Sequence, residues 1–148
     1  MRGFYGIGVY QPKTEVNIGT LWRSAFLYGA DFMFTIGRRY RKQASDTTVA
    51  YNHVPLWEFE SFEMFKKSMP KESYLICVEL AEKSMALTKF THPERAVYLL
   101  GAEDTGIPEE ILKGHTVVQI PSVHSASMNV AVAGSIICYD RFCKRNIL

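Results

Sequence analysis

The 148-residue chain contains no apolar stretch approaching the roughly 20 residues that cross a bilayer, so no membrane-spanning helix is expected. Its start, Met1 to Ile7, lacks the apolar core and small-residue cleavage site of a signal peptide, and a cytoplasmic location is expected. Cysteine is scarce: Cys77, Cys138 and Cys143 are odd in number and have no paired spacing. That argues against a disulfide framework and against a structural zinc site, and no metal is expected. Each of the three lies in an apolar stretch, so buried or neutral thiols are expected. Excess charge of one sign is also missing, since 17 Lys and Arg stand against 15 Asp and Glu. A net charge of +2 does not by itself announce a nucleic-acid partner. Repeats, low-complexity tracts and linkers are absent, which predicts a single domain over residues 1–148.

What is present is an ordinary globular composition, 47% hydrophobic and 22% charged. Apolar, β-rich runs occur at Phe4–Val9, Phe32–Ile36, Tyr74–Val78, Ala96–Leu100 and Val117–Ile120, with helical patterns between most of them. Strands alternating with helices predict an α/β fold with a mainly parallel sheet flanked by helices. The first helix is marked by Ile18, Leu21, Trp22, Ala25 and Phe26, spaced as one buried face. Asn17 stands where an N-cap is expected and Gly29 where a left-handed residue ends a helix. Arg23 lies off the apolar stripe. A second helix is predicted over Leu56–Met69, with Phe59, Phe62 and Phe65 as core anchors, and a short one begins at Pro108. The last helix follows Asn129 and is apolar nearly all round from Val130 to Cys143. Such a helix needs cover on several sides, and the small residues Ala131, Ala133, Gly134 and Ser135 suit the close approach of a second subunit.

Three segments suit a ligand, each with a plain structural reading beside it. Asn17-Ile18-Gly19-Thr20-Leu21-Trp22-Arg23 opens a helix whose free N–H groups and dipole attract phosphate, with Arg23 as a planar cation one turn in. Equally, Asn17 caps, Gly19 packs and Arg23 is solvated. Leu100-Gly101-Ala102-Glu103-Asp104-Thr105-Gly106-Ile107-Pro108 leaves a strand, and ligands settle beyond the carboxyl ends of such strands. Gly101 would let a ligand lie on bare backbone and Gly106 would permit an unusual turn, although the spacing does not match GxGxxG. Ile120-Pro121 ends a strand and leads through Ser122 to Asn129 into the apolar helix, where serine and asparagine also serve as caps. His124 with Ser125 or Ser127 does not make a hydrolase, for there is no GxSxG elbow. Separately, Gly37-Arg38-Arg39-Tyr40-Arg41-Lys42 sets four cations around an aromatic ring, a pattern for a solvated loop or for phosphates and a stacked base.

Taken in order, these segments resemble the three signature motifs of the SpoU (TrmH-like) branch of the SPOUT methyltransferases. Asn17, Gly19 and Arg23 match Asn-x-Gly-x-x-x-Arg; Gly101, Glu103 and Gly106 match Gly-x-Glu-x-x-Gly. Ile120, Pro121, Ser127, Met128 and Asn129 match Ile-Pro followed by Ser-[Leu/Met]-Asn before a helix. The resemblance implies a parallel α/β sheet with a deep C-terminal trefoil knot, a homodimer, and S-adenosylmethionine as methyl donor to an RNA ribose 2′-hydroxyl. It also implies that Val78, Glu79, Leu100, Gly101, Glu103, Ile120, Ser127 and Met128 hold the cofactor. Catalysis would fall to Arg23, reaching the partner's pocket, supported by Asn17, Glu103, Ser127 and Asn129.

The chain resembles the minimal members that modify the tRNA wobble nucleotide, so tRNA is favoured over ribosomal RNA. Ala126 departs from an arginine frequent there, and Ser122 from a usual methionine. Without an RNA-binding extension, Arg38, Arg39, Arg41 and Lys42 are the candidates to hold RNA. The competing readings are a non-catalytic knotted RNA-binding dimer and a methyltransferase acting on a base nitrogen.

Overall fold

A computed structural model describes residues 3–38, 50–102 and 104–146 of the chain. Its strands are β1 (Phe4–Tyr10), β2 (Phe32–Ile36), β3 (Leu56–Phe59), β4 (Tyr74–Val78), β5 (Met85–Ala86), β6 (Arg95–Leu100) and β7 (Thr116–Gln119). They form one sheet in the order β3-β2-β1-β6-β4-β7-β5, every pairing parallel. The helices are α1 (Glu15–Leu27), α2 (Ala50–His53), α3 (Phe62–Ser68), α4 (Glu109–Leu112) and α5 (Val130–Arg145), with a 3-10 turn at Leu87–Lys89.

Strand alternation sorts the core onto the two faces of the sheet. Tyr5, Ile7, Val9, Ile76, Val78, Tyr98 and Leu100 lie under α1, α2 and α5. Phe32, Phe34, Cys77, Val97, Leu99 and Val117 lie on the other face under α3 and α4. In β1, Gly6 and Gly8 pair in register with Phe32 and Phe34. A Cβ on Gly6 would come within 2.2 Å of the Phe32 ring, and one on Gly8 within 2.3 Å of the Phe34 carbonyl oxygen. The two phenylalanines therefore occupy the space that side chains on β1 would fill, and crowding of this kind costs about 1–3 kcal/mol.

All five strands expected from the sequence are present, and the structure corrects several of their neighbours. The segment read as one helix over Leu56–Met69 divides into β3 and α3, with the Ser61 hydroxyl accepting from the Met64 N–H at the start of the helix. The Phe59, Phe62 and Phe65 spacing imitates a helix, but pairing with β2 and the stacking of Trp57 on Phe32 draw the first half into the sheet. Phe65 is buried and Phe59 and Phe62 pack against the same cluster, so all three do anchor a core. Asn17 is not the N-cap of α1: the helix starts at Glu15 after Thr14. Gly29, at φ +80, does follow the helix in the left-handed region. Pro108 precedes α4 rather than lying in its first turn.

The small residues of α5 serve the chain itself. Ala131, Ala133 and Gly134 are buried, and a Cβ on Gly134 would meet Leu21 of α1 at 2.3 Å. Ser135 donates to the Ala131 carbonyl and lies 2.6 Å from the Ser24 hydroxyl. Close approach is thus spent between α1 and α5, where the sequence had suggested a second subunit. Cys77 and Cys138 are buried, and burial pushes their thiols up to about 12 and about 11, which keeps them neutral. Cys143 is exposed.

Arg141, on α5, is buried. It donates to the carbonyls of Pro93 (2.6 Å) and Glu94 (2.9 Å) and to the Tyr98 hydroxyl (3.1 Å), and lies 4.9 Å over the Tyr5 ring. Beside it the buried His92 ring bridges Tyr98 (Nδ1 to hydroxyl, 2.6 Å) and Asp140 (Nε2 to Oδ2, 2.7 Å). A neutral ring satisfies both contacts, accepting from the tyrosine and donating to the carboxylate.

Burial holds the His92 pKa below the ordinary value of 6.5, against the opposing pull of Asp140 and with help from Arg141 and Lys144. Above that value the ring is neutral in folded and unfolded chain alike. As pH falls through it, the unfolded chain takes the proton first, and stability drains away until the lower folded pKa is reached. Melting temperature should therefore fall between pH 7.5 and 5.5, and His92→Gln should flatten part of that fall. A slope identical in the variant would show that the ring does not titrate in this way.

Candidate functional site

Three neighbouring strands, β6, β4 and β7, end on the same side of the sheet, and a cavity of about 880 Å³ opens beyond their carboxyl ends. This is where open parallel sheets place ligands, because the chain must leave each strand by a loop and the loops part around a crevice. Val78 ends β4 and Leu100 ends β6; Ile120 follows β7, and all three line the cavity with Met128 and Val130.

The β6–α4 loop forms one wall. Gly106 adopts φ +65, so the unusual turn expected of it is present. Its N–H donates to the Ala102 carbonyl at 3.0 Å. Gly101 has a use beyond the one expected. A Cβ there would stand 2.6 Å from the Gly106 carbonyl carbon and 2.8 Å from the Ile107 nitrogen. Its missing side chain makes room for the loop's own return, while its backbone still faces the cavity.

The loop before α5 forms the opposite wall through Ser122, Ala126, Ser127 and Met128. Asn129 closes it. Its Oδ1 accepts from the N–H groups of Ala131 (2.9 Å) and Val132 (3.2 Å), and its Nδ2 donates to Asn17 Oδ1 at 3.1 Å. One amide thus caps α5 and ties the first and third sequence segments together. Lys13, just before α1, makes an ion pair with Asp104 on the cavity rim.

Val78, Glu79, Leu100, Gly101, Ile120, Ser127 and Met128, the expected cofactor residues, all line the cavity. Glu103 lies outside the described residues, as do Arg39, Arg41 and Lys42. Asn17 and Asn129 meet at the edge of the site without lining the cavity. Arg23 is exposed on α1 and is not part of the cavity wall. Arg38 is exposed, but its Nη1 donates to the carbonyls of Pro12 (3.2 Å) and Lys13, bracing the β1–α1 loop. Sequence reasoning missed the stretch 80–83 and the side chains of Lys113 and His115, which also line the cavity. The end of β4 was the available signal for the first; nothing in the pattern pointed to the other two. Among the described residues no group of three or more His, Cys, Asp or Glu side chains could hold a metal ion. Nor is any described helix long and apolar enough to cross a membrane.

Comparison with known proteins agrees with this layout. A family model described as the SpoU rRNA Methylase family matches residues 6–139. The chain is 28% identical over 143 residues to a tRNA (cytidine(34)-2′-O)-methyltransferase of Ancylobacter novellus, covering 88% of this chain and 87% of that protein. It superposes on a solved structure described as giving insight into the 2-OH methylation of C/U34 on tRNA, with a TM-score of 0.82, 25% identity and 97% of each chain covered. The methyltransferase AviRb of Streptomyces viridochromogenes, solved with AdoMet, shares the fold at a TM-score of 0.87 and 21% identity. There the match covers 99% of this chain and 60% of that one.

Proposed function

Because this chain belongs to the SpoU rRNA methylase family, we propose that it transfers a methyl group from S-adenosylmethionine to a ribose 2′-hydroxyl of tRNA. The observation that carries the reading is the cavity beyond β6, β4 and β7, lined by every described residue expected to hold the cofactor. Its roughly 880 Å³ falls within the range of nucleotide-sized ligand sites. The walls suit such a group: apolar side chains of Val78, Leu100, Ile120 and Met128 alternate with bare backbone at Gly101 and Gly106. The bound cofactor supplies a methyl already activated on a sulfonium.

What remains for the chain is to align a ribose oxygen and to help remove its proton. Arg23 is the residue proposed for this, in the cavity of a partner subunit, since it is exposed and absent from its own cavity wall. A guanidinium hardly deprotonates, so its task is to clamp a phosphate beside the reacting hydroxyl. Asn17, Ser127 and Asn129 support the arrangement: two of them join α1 to α5, and Ser127 faces the cavity. Glu103 completes the set in this reading. Residues 1–148 act as one methyltransferase domain, in keeping with a single sheet covered on both faces. A threaded C-terminal segment, making a deep trefoil knot, accords with the order β6-β4-β7, in which β4 lies between strands that follow it in the chain.

Dimerisation is supported by the outer surface of α1 and α5, where Leu27, Val132, Tyr139 and Phe142 are exposed although apolar. The wobble nucleotide is the proposed target, on the strength of the relatives that act at position 34. The segment Arg38, Arg39, Arg41 and Lys42 is the proposed RNA contact, and the cytoplasm is the proposed site of action. Ribosomal RNA is the second reading, favoured by the family's own description.

Incubating purified protein with labelled S-adenosylmethionine and total RNA, then mapping the product, should show a 2′-O-methyl group at tRNA nucleotide 34. Label in ribosomal RNA or on a base nitrogen would redirect the assignment, and cofactor that fails to bind in a calorimeter would leave a non-catalytic RNA-binding dimer. Arg23→Ala should lower transfer on the order of 100-fold with cofactor binding intact, as loss of one positioned donor does; normal transfer by the variant would remove Arg23 from the mechanism. Tyr139→Glu with Phe142→Glu should yield monomers by sedimentation and abolish transfer. Charge reversal at Arg38, Arg39, Arg41 and Lys42 should weaken RNA binding and flatten its salt dependence by roughly 0.7–0.9 per lost phosphate contact; an unchanged slope would place the RNA elsewhere.

A further inference from the structure

Glu79 is among the residues expected to hold the cofactor, and its carboxylate reaches the backbone of a second segment of the cavity wall. The Glu79 N–H donates to the Val118 carbonyl at 3.0 Å, holding the end of β4 against β7. The side chain then turns toward the β6–α4 loop. Oε2 accepts from the Ile107 N–H at 2.9 Å, and Oε1 accepts from the Leu80 N–H at 3.1 Å. Gly106 rests on the same carboxylate: a Cβ there would stand 2.5 Å from Oε2. On the loop's other side, a Cβ on Gly101 would meet the backbone of Gly106 and Ile107 at 2.6–2.8 Å. The Gly106–Ile107 backbone therefore runs between Gly101, where a Cβ would strike backbone, and the Glu79 carboxylate, which a Cβ on Gly106 would displace.

We propose that Glu79 is a positioning residue for the cofactor wall. Its carboxylate fixes the Gly106–Ile107 backbone against the end of β4, and so sets the shape of the cavity before any ligand arrives. The proposal rests on the reading that this cavity takes S-adenosylmethionine. An ionised carboxylate is acceptor-only, and both oxygens are already engaged by backbone N–H groups of the cavity wall. Charge-assisted bonds of this kind are stronger than neutral ones. They order a loop whose freezing would otherwise be charged against binding. Glutamine can offer only one acceptor oxygen to the two N–H groups, and turns an N–H₂ donor toward the other. Alanine offers none.

The test is calorimetric titration of wild type, Glu79→Gln and Glu79→Ala with S-adenosylmethionine and, separately, with the neutral thioether product S-adenosylhomocysteine. Melting curves and RNA affinity serve as controls for folding, and Glu79→Gln, nearly isosteric, keeps the comparison open should the alanine variant not fold. The expected result is that both dissociation constants rise together, about tenfold for glutamine on loss of one charged bond, and further for alanine. RNA affinity should hold, and the KM for cofactor should rise by a larger factor than kcat falls. Faster amide exchange at Ile107 in Glu79→Gln would accompany this. Weakening for the sulfonium cofactor alone would mean that the carboxylate meets its charge directly, which overturns a positioning role. Equal binding by all three proteins would overturn it as well. Wild type that binds neither molecule would instead defeat the assignment of the cavity, and this proposal with it.

Discussion

The docking of α5 is the constraint on which the rest of this molecule depends. It is fastened at both ends by polar groups and in the middle by the absence of a side chain. At its start, Asn129 caps the helix and reaches Asn17 on α1. In the middle, Gly134 lets Leu21 close on the helix axis. Toward its end, Arg141 and Asp140 engage Tyr98, His92 and the carbonyls that precede β6. Buried cations and histidines are costly unless their hydrogen bonds are met. The partners of Arg141 and His92 occupy fixed places on the sheet, so the network specifies where α5 must sit as well as stabilising it.

That placement determines the site. Val130 and Ala133 of α5 form part of the cavity wall, and Met128 and Ser127 approach the ends of β4 and β6 only because the helix begins where Asn129 caps it. The opposite wall is set by backbone rather than by side chains: Gly101 and Gly106 admit a close return of the chain, and Glu79 takes up the resulting N–H groups. The outer surface of α1 and α5, left with exposed aromatic and aliphatic side chains, follows from the same packing. Ile137 and Val130 of α5 are buried with the small residues, while Val132, Tyr139 and Phe142 are left to face outward.

Much of this was legible in the chain. Strands β1, β2, β4, β6 and β7 announce themselves as apolar β-rich runs, and their alternation with helices gives a parallel sheet. The three motif segments fall at strand ends and helix starts, and seven of the eight expected cofactor residues were found on one cavity, the eighth, Glu103, lying outside the described residues. Other features were not legible. Phe59, Phe62 and Phe65 imitate a helix running back through Leu56, and pairing of Leu56–Phe59 with β2 overrode it there. Lys113 and His115 have no local signature of a site. Arg141 looks in sequence like any surface cation near a C-terminus, and the burial that makes it a structural hub arises from residues 43 to 137 positions away.

The class of fold, the location of the ligand-bearing loops and seven of the residues that face the cavity are written in the chain's local pattern. These depend on periodicity, on glycine and on capping chemistry, which act over a few residues. Tertiary structure alone decided which cations are spent inside the protein, that the small stripe of α5 belongs to α1, and that Glu79 braces a loop 28 residues away. Each of those outcomes depends on a distance between segments far apart in the chain, and no local pattern encodes it.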